Sequence, residues 1–309
     1  MTMTRTSTTT MSNSGPGTTA SPGPLGGIVI VDKPAGITSH DVVARIRRLA
    51  RTRRVGHAGT LDPMATGVLV IGVNRATRLL GHLAAHDKTY AATIRLGVTT
   101  VSDDADGEVI AEVDAAHVTD EQIAAGVAAL TGDIAQVPSA VSAIKVGGVR
   151  SYARVRAGED VTLTARPVTV TAFDVLARNG PDLDVQVSCS TGTYVRALAR
   201  DLGASLGVGA HLTALRRTRS GAFTVDEARS LELLEQSFSV MPLGDAVARC
   251  FPRVDLEAAA ALDLRHGRPV ARSGHAEVTG AFDATTGALL ALVQDEGDVA
   301  RPLVVFAPA

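Results

Sequence analysis

Two rhythms of apolar and polar positions run along the 309-residue chain, and they predict most of its elements. "GGIVIVDKP" (26–34) is a short apolar run closed by proline, the pattern of a β-strand. In "TSHDVVARIRRLA", Val42, Val43, Ile46, Leu49 and Ala50 recur at helical spacing, and Thr38 with Asp41 has the form of a capping box. "VLVIGV" (68–73) predicts a buried strand and "RATRLLGHLAA" a helix. "KTYAATIRLG" alternates, with Tyr90, Ala92, Ile94 and Leu96 on one face. The Asp-Gly pair in "SDDADGEV" signals a hairpin. A helix over 119–132 opens with the Thr119/Gln122 capping box and ends at glycine. Strand-like stretches follow at 166–177 and 183–190, then a helix in "TGTYVRALARDLGASLG" with Val195, Leu198, Ala199, Leu202 and Leu206 as its core face. From about residue 240 the texture changes to short alternating segments such as "LRHGRPV" and "GALLALVQDEG", which predict a small β-rich module behind a linker at 240–247. Helices and strands that alternate without a long repeat predict an α+β, mixed α/β, architecture.

Length suggests about two domains. No apolar run reaches the ~20 residues of a membrane-spanning helix. The first 26 residues are Ser, Thr, Gly and Pro with one arginine and no apolar block, so they predict a disordered tail and neither a signal peptide nor a transit sequence. Cys189 and Cys250 make no disulfide framework and offer no metal spacing, which suits a reducing cytoplasm; Cys189, in "LDVQVSCS", reads as a small buried hydrophobe. "SDDADGEV" has a calcium-loop flavour but starts on Ser102 and lacks the closing acid, Val113 standing there, so no metal is expected.

A net charge of −2 conceals strong segregation. Residues 27–100 carry 11 Lys+Arg against 4 Asp+Glu, whereas residues 101–136 carry none against 9. Residues 140–220 return to 11 against 6, and residues 221–309 fall to 7 against 13. Local patches rather than totals steer a polyanion. The densest basic run, "ARIRRLARTRR", has six arginines between 45 and 54 and reads either as a solvated helix face or as a phosphate-binding one.

Several residues carry candidate chemistry. Asp62, in "GHAGTLDPMATGVL" (56–69), precedes a proline, which is ordinary helix-entry chemistry if the carboxylate caps free N–H groups. Arg196 falls in the first turn of its helix, where a cation opposes the macrodipole and calls for an anion. Tyr90 and Tyr194 are two of three tyrosines in a chain without tryptophan, and half-buried packing would account for either. His57 has no partner at metal spacing and reads as a hydrogen-bonded loop residue.

Taken in order, "DKPAGITSHDVV", "GHAGTLDPMATGVLVIGVNRATRLL", "KTYAATIRLG", "QVPSAVSAIK", "CSTGTYVRALARDLG" and "AHLTALRRTRSGAF" resemble the blocks of bacterial tRNA pseudouridine-55 synthases of the TruB type, over residues 27–225. The resemblance implies a catalytic domain at 27–240 built on a central mixed or antiparallel sheet with flanking helices, and a small β-rich, PUA-like domain at 248–309. It implies that Asp62 is the catalytic aspartate, that Arg196 pairs with it, and that Tyr90 stacks on the target base. His57 matches a histidine tied to the flipped-out loop, Tyr194 a substrate-side aromatic, and Leu215 an apolar contact to the base. Lys33 and Pro34 match a pair that supports the active-site loop, which places Lys33 among the substrate-binding positions. Ser139 departs from the family, which more often has a second proline after Pro138.

The implied reaction isomerises a T-loop uridine of tRNA without metal or cofactor. Its carboxylate attacks ribose C1′, adds to uracil C6 or lifts a ribose proton, and the sequence leaves the three open. An arginine beside Asp62 would favour its charged form, and the Tyr90 hydroxyl is a route for the C5 proton. Arginines at 45–54 and 216–219 are the expected phosphate contacts, with the acidic 101–136 stretch facing solvent or another part of the protein. The implied enzyme is a cytoplasmic monomer that takes the tRNA T-arm, needs no guide RNA and touches no membrane. A tRNA-binding protein without catalysis and a guide-RNA-dependent synthase are the competing readings. The acidic C-terminal third suits a phosphate surface poorly, so its module is either an RNA-binding domain, whose deletion lowers affinity and leaves catalysis, or a folding cap.

Overall fold

A computed structural model describes residues 26–139, 145–146, 149–150 and 163–307 of the chain; the expected tail, Gly26 apart, lies outside them. A ten-stranded sheet forms the centre. Its order is Met241–Pro242, Gly27–Lys33, Thr66–Val73, Ala210–Ser220, Lys88–Leu96, Asp182–Cys189, Arg166–Asn179 and Gly132–Gln136, with Val55–His57 and Phe223–Thr224 paired at its side. Neighbours are antiparallel except Ala210–Ser220 and Thr66–Val73, which run parallel with Arg217 opposite Gly67. The α+β class expected from the alternation is thus the class formed, and its sheet is mixed.

The register of strand Thr66–Val73 explains the unbroken apolar run. Leu69, Ile71 and Val73 face one core with the helices Ser39–Leu49 and Val195–Ser205, while Val68 and Val70 face a second core on the other side. A strand buried on both faces has no polar side to alternate with. Gly67 begins this strand at φ +97°, and a Cβ there would lie 2.2 Å from the Arg217 carbonyl oxygen. Only glycine lets the parallel strands approach at that point.

Both expected capping boxes form, Thr38 with Asp41 and Thr119 with Gln122. "RATRLLGHLAA" is instead a 3-10 segment, Asn74–Leu79, followed by the short helix Leu80–Ala84. The hairpin in the acidic stretch joins Val98–Thr100 to Val109–Glu112 across a longer loop than a two-residue Asp-Gly turn.

The C-terminal residues form a five-stranded sheet with the helix Ala258–Arg265 against it. No linker precedes it. Met241–Pro242 is an edge strand of the large sheet, and Leu243–Cys250 is a helix whose Leu243, Ala246 and Val247 are buried. These side chains share the second core with Ile28, Ile30, Val68 and Val70 of the large sheet and with Phe282, Leu292 and Phe306 of the small one. Fully burying each such aliphatic side chain stabilises by about 1.5–3 kcal/mol. The seam is a hydrophobic core, so removing the module would expose the back of the large sheet rather than free a tethered appendage. Among the described residues, no helix is long and apolar enough to cross a membrane.

Candidate active site

The stretch around Asp62 is held by its backbone. Ser39, buried at the start of its helix, accepts from the Leu61 N–H at 2.9 Å and donates to the Leu61 carbonyl at 3.1 Å. On the far side, the Lys33 ammonium donates to the carbonyls of Pro63, Pro34 and Ile37 at 3.2, 2.8 and 2.7 Å. A turn bond from Ala65 N–H to the Asp62 carbonyl, 3.1 Å, closes the loop, and strand Thr66–Val73 follows. No helix begins here, so the carboxylate is not a helix cap. Lys33 is fully buried, is not among the residues that wall the cavity, and braces the loop through its three carbonyl contacts. Burial, with Arg217 nearby, pushes its ammonium down to about 8, against the pull of Asp62.

Asp62 faces Arg196, whose Nε lies 3.0 Å from Oδ2. Arg196 is 3% exposed and stands in the first turn of helix Val195–Ser205, as expected. Its second anion is one the sequence did not single out. Asp104 Oδ2 lies 3.2 Å from Nη1, which also donates to the Ser102 carbonyl at 2.7 Å. Asp104 is itself held by Ser102 Oγ and the Asp106 N–H. One residue earlier, buried Asp103 takes a left-handed φ of 59° and pairs with Arg200. The acidic stretch therefore sends two carboxylates into the protein interior, where they meet two arginines of one helix.

A cavity of about 250 Å³ opens beside Asp62. Tyr90, Leu215, Tyr194 and Arg196 wall it, together with Lys88 and Arg217, which sequence reasoning had not placed there. Tyr90 and Leu215 come from the adjacent strands Lys88–Leu96 and Ala210–Ser220. The backbone of Tyr194, at the helix entry, is clamped by the Gln136 amide, which accepts from its N–H at 2.8 Å and donates to its carbonyl at 3.1 Å. His57 lies outside the cavity wall, with its ring edge-on to His40 at 5.6 Å. Burial, His40 and Arg217 together hold His57 below the usual imidazole range.

Electrostatics sharpen two expectations. Burial raises the Asp62 carboxyl above the ordinary range, Asp104 adds to this, and Arg196 only partly opposes it. The arginine thus restrains a rise instead of producing a fall. The Tyr90 phenol is also pushed up, by burial first. A phenol with a raised pKa stays protonated at neutral pH, which disfavours phenolate as the base for the C5 proton.

The expected phosphate cations divide. Arg217 is buried, and Arg216 forms a bidentate pair with Asp32 at 3.0 and 2.7 Å. Arg219 is engaged with Thr89 and the Gly221 carbonyl. Of the 216–219 arginines, Arg217 is buried, whereas Arg216 and Arg219 are partly exposed and already engaged. By contrast Arg47, Arg48, Arg51, Arg53 and Arg54 are exposed. Arg54, Arg75 and Arg78 line a hollow of about 530 Å³ at the seam. There Arg75 and Arg78 donate to the Phe306 and Val305 carbonyls at 2.8 and 2.7 Å.

This sheet and this carboxylate–arginine cavity define a pseudouridylate-synthase scaffold, and the chain belongs to the TruB family of pseudouridylate synthases. Residues 47–195 match the family's N-terminal domain, 196–245 the C-terminal domain of tRNA pseudouridylate synthase B, and 251–307 the C-terminal domain of tRNA pseudouridine synthase II. The particular relatives carry the name tRNA pseudouridine synthase B. One from Arthrobacter sp. (strain FB24) is 56% identical, covering 92% of this chain and 98% of the relative. Another, from Nocardia farcinica, is 58% identical over 92% of this chain and 94% of its own length. Among solved structures, a Cbf5–Nop10–Gar1 complex superposes with a TM-score of 0.70 at 27% identity, over 91% of this chain and 85% of the matched one. An H/ACA RNP bound to a substrate RNA containing 2′-deoxyuridine gives 0.69 at 26% identity, over 92% and 86%.

Proposed function

We propose that this chain isomerises uridine to pseudouridine in tRNA, at position 55 of the T-loop, with Asp62 as the reacting carboxylate. The observation that carries the reading is the Asp62–Arg196 pair at the mouth of a cavity between Tyr90, Leu215 and Tyr194. In the reaction the C1′–N1 bond breaks, uracil turns, C1′ bonds to C5, the C5 proton leaves and N1 takes up a proton. Leu215 and the Tyr90 ring offer the turning base apolar faces, while Arg196 favours the ionised form of the half-buried carboxylate.

A base inside a folded loop must first be extruded into the cavity, at a cost of a few kcal/mol. The exposed arginines between 47 and 54, and the Arg54, Arg75 and Arg78 hollow, supply phosphate contacts that offset it. The catalytic unit is 27–240 and the C-terminal unit 248–309. Names and identities of the relatives favour direct action on tRNA, without guide RNA; the reading takes the chain as a cytoplasmic monomer.

Tritium release from C5 of labelled uridine in an unmodified tRNA transcript tests this reading. The expected result is one tritium per tRNA from the wild-type transcript and none when cytidine replaces uridine 55. Equal release from both transcripts would contradict the assigned position, and no release from either would contradict the activity.

A further inference from the structure

Arg217 is 1% exposed, and its guanidinium donates from Nε to the Val68 carbonyl at 2.7 Å and from Nη2 to the Gly59 carbonyl at 3.1 Å. Among the described residues no carboxylate pairs with it, whereas Arg196, equally buried, meets two. Burying an uncompensated charge is costly, and arginine cannot shed its proton to escape the cost. Two carbonyl contacts alone ask only for a neutral amide side chain. The charge itself therefore calls for an explanation.

Its position supplies one. Arg217 pairs in register with Tyr90 across the sheet, and its charge acts on the Tyr90 phenol. It stands two residues after Leu215 on one strand, so both walls of the cavity come from the same face. Its field is felt around the site: after burial, it is among the causes that hold down Lys33, His57 and Lys88. Lys88, its cationic neighbour in the cavity wall, is tied to the carbonyls of Ala84 and His86.

If the reaction is the one proposed above, the path of the electrons gives that charge a use. When the C1′–N1 bond breaks, its electron pair passes to the uracil ring. The ring holds that pair until C5 bonds to C1′ and the C5 proton leaves. Addition of the carboxylate to C6 likewise places charge on the ring. By each of the three routes open to Asp62, uracil is anionic at one stage.

We propose that Arg217 is the anion-stabilising group of this site, its buried charge fixed beside Tyr90 and Gly59 in the cavity wall to favour the uracil that carries the glycosidic electron pair. A preorganised charge in a water-poor cavity acts more strongly than one in solvent and needs no rearrangement during the reaction.

The test compares Arg217→Gln, which keeps donors for the carbonyls and removes the charge, with Arg217→Lys, which keeps the charge and loses the fork. Single-turnover tritium release is read at saturating enzyme, beside tRNA affinity and melting temperature. Arg217→Gln should slow release about 100-fold or more, and Arg217→Lys by about 10-fold or less, with both binding tRNA within about threefold of wild type. A Gln variant as fast as the Lys variant overturns the proposal. Should Arg217→Gln not fold, inhibition of wild type by barbiturate, a uracil-shaped anion at neutral pH, is compared with inhibition by uracil. At least about tenfold tighter inhibition by the anion is expected on the same electrostatic ground, and equal or weaker inhibition overturns the proposal. Wild type that releases no tritium sinks the reading of the whole site, whereas active wild type beside an equally active Gln variant sinks this proposal alone.

Discussion

The C-terminal five-stranded module and the Asp62 cavity both set arginine against carboxylate, with opposite consequences. Arg253, Arg265, Arg268, Arg272 and Arg301 each pair with an acid of the same module, and most of these side chains are well exposed. Exposed pairs are screened by water and salt and contribute little. Together they engage the five arginines from 253 onward, and Arg249 pairs with Glu227 across the seam, so among the described residues every arginine of the module has an acid partner. In the cavity, buried Arg196 meets half-buried Asp62 and buried Asp104, and among the described residues no acid pairs with Arg217. There the same residue types set protonation states instead of decorating a surface. Burial, more than pairing, separates a structural charge from a chemical one.

The comparison breaks most sharply at Asp62. Asp62→Asn should lower single-turnover tritium release by ~10⁴-fold or more while tRNA affinity stays within about threefold, because the amide is neither nucleophile nor base. Phe282→Ala, in the core that joins the module to the large sheet, should cost about 3–5 kcal/mol of stability on thermal or urea unfolding. Folded molecules of that variant should still release tritium at the wild-type rate. Asp104→Asn should slow release by about 10- to 100-fold, the range seen when a partner that orients a reacting group is removed.

pH sharpens the contrast further. Burial raises the Asp62 carboxyl and Arg196 only partly restrains it, so the ionised form is lost at a higher pH than for a solvent-exposed aspartate. The single-turnover rate should therefore fall on acidification with a midpoint above 3.8, the ordinary aspartate value. Asp104 contributes to the rise, and Asp104→Asn should move that acid limb to lower pH. An unshifted limb would show that the second carboxylate does not act on Asp62 electrostatically. Smallest of all, Arg253→Ala should lower the melting temperature only slightly and leave tritium release unchanged, since its partner Asp255 is exposed and only its stacking over the Phe282 ring, 4.1 Å from the ring centre, is lost.

Much of this was legible beforehand, for identifiable reasons. Strands with one buried face announced themselves by alternation, and both capping boxes were written in local sequence. Arg196 betrayed an anion because a cation in a first helical turn is disfavoured. Asp104 was hidden because a run of acids reads as solvated, and nothing local shows that two of them turn inward toward a distant helix. Arg217 was grouped with its basic neighbours, although its place two residues beyond Leu215 puts it on the cavity face of the strand. The expected linker was a similar loss: Leu243, Ala246 and Val247 follow helical spacing, yet eight residues between a change of texture and a proline read more easily as a connection. The depth of Lys33 was not legible, since nothing local shows that three backbone carbonyls claim its ammonium.

The central claim is that Asp62 is there for chemistry. It is tested most directly by tritium release from uracil C5 of an unmodified tRNA transcript, comparing wild type with Asp62→Asn at matched RNA occupancy. Release by wild type that vanishes in the variant, with tRNA binding intact, is the predicted result. Equal release by both proteins would contradict the claim, and binding without release by either would turn the chain into a tRNA-binding protein.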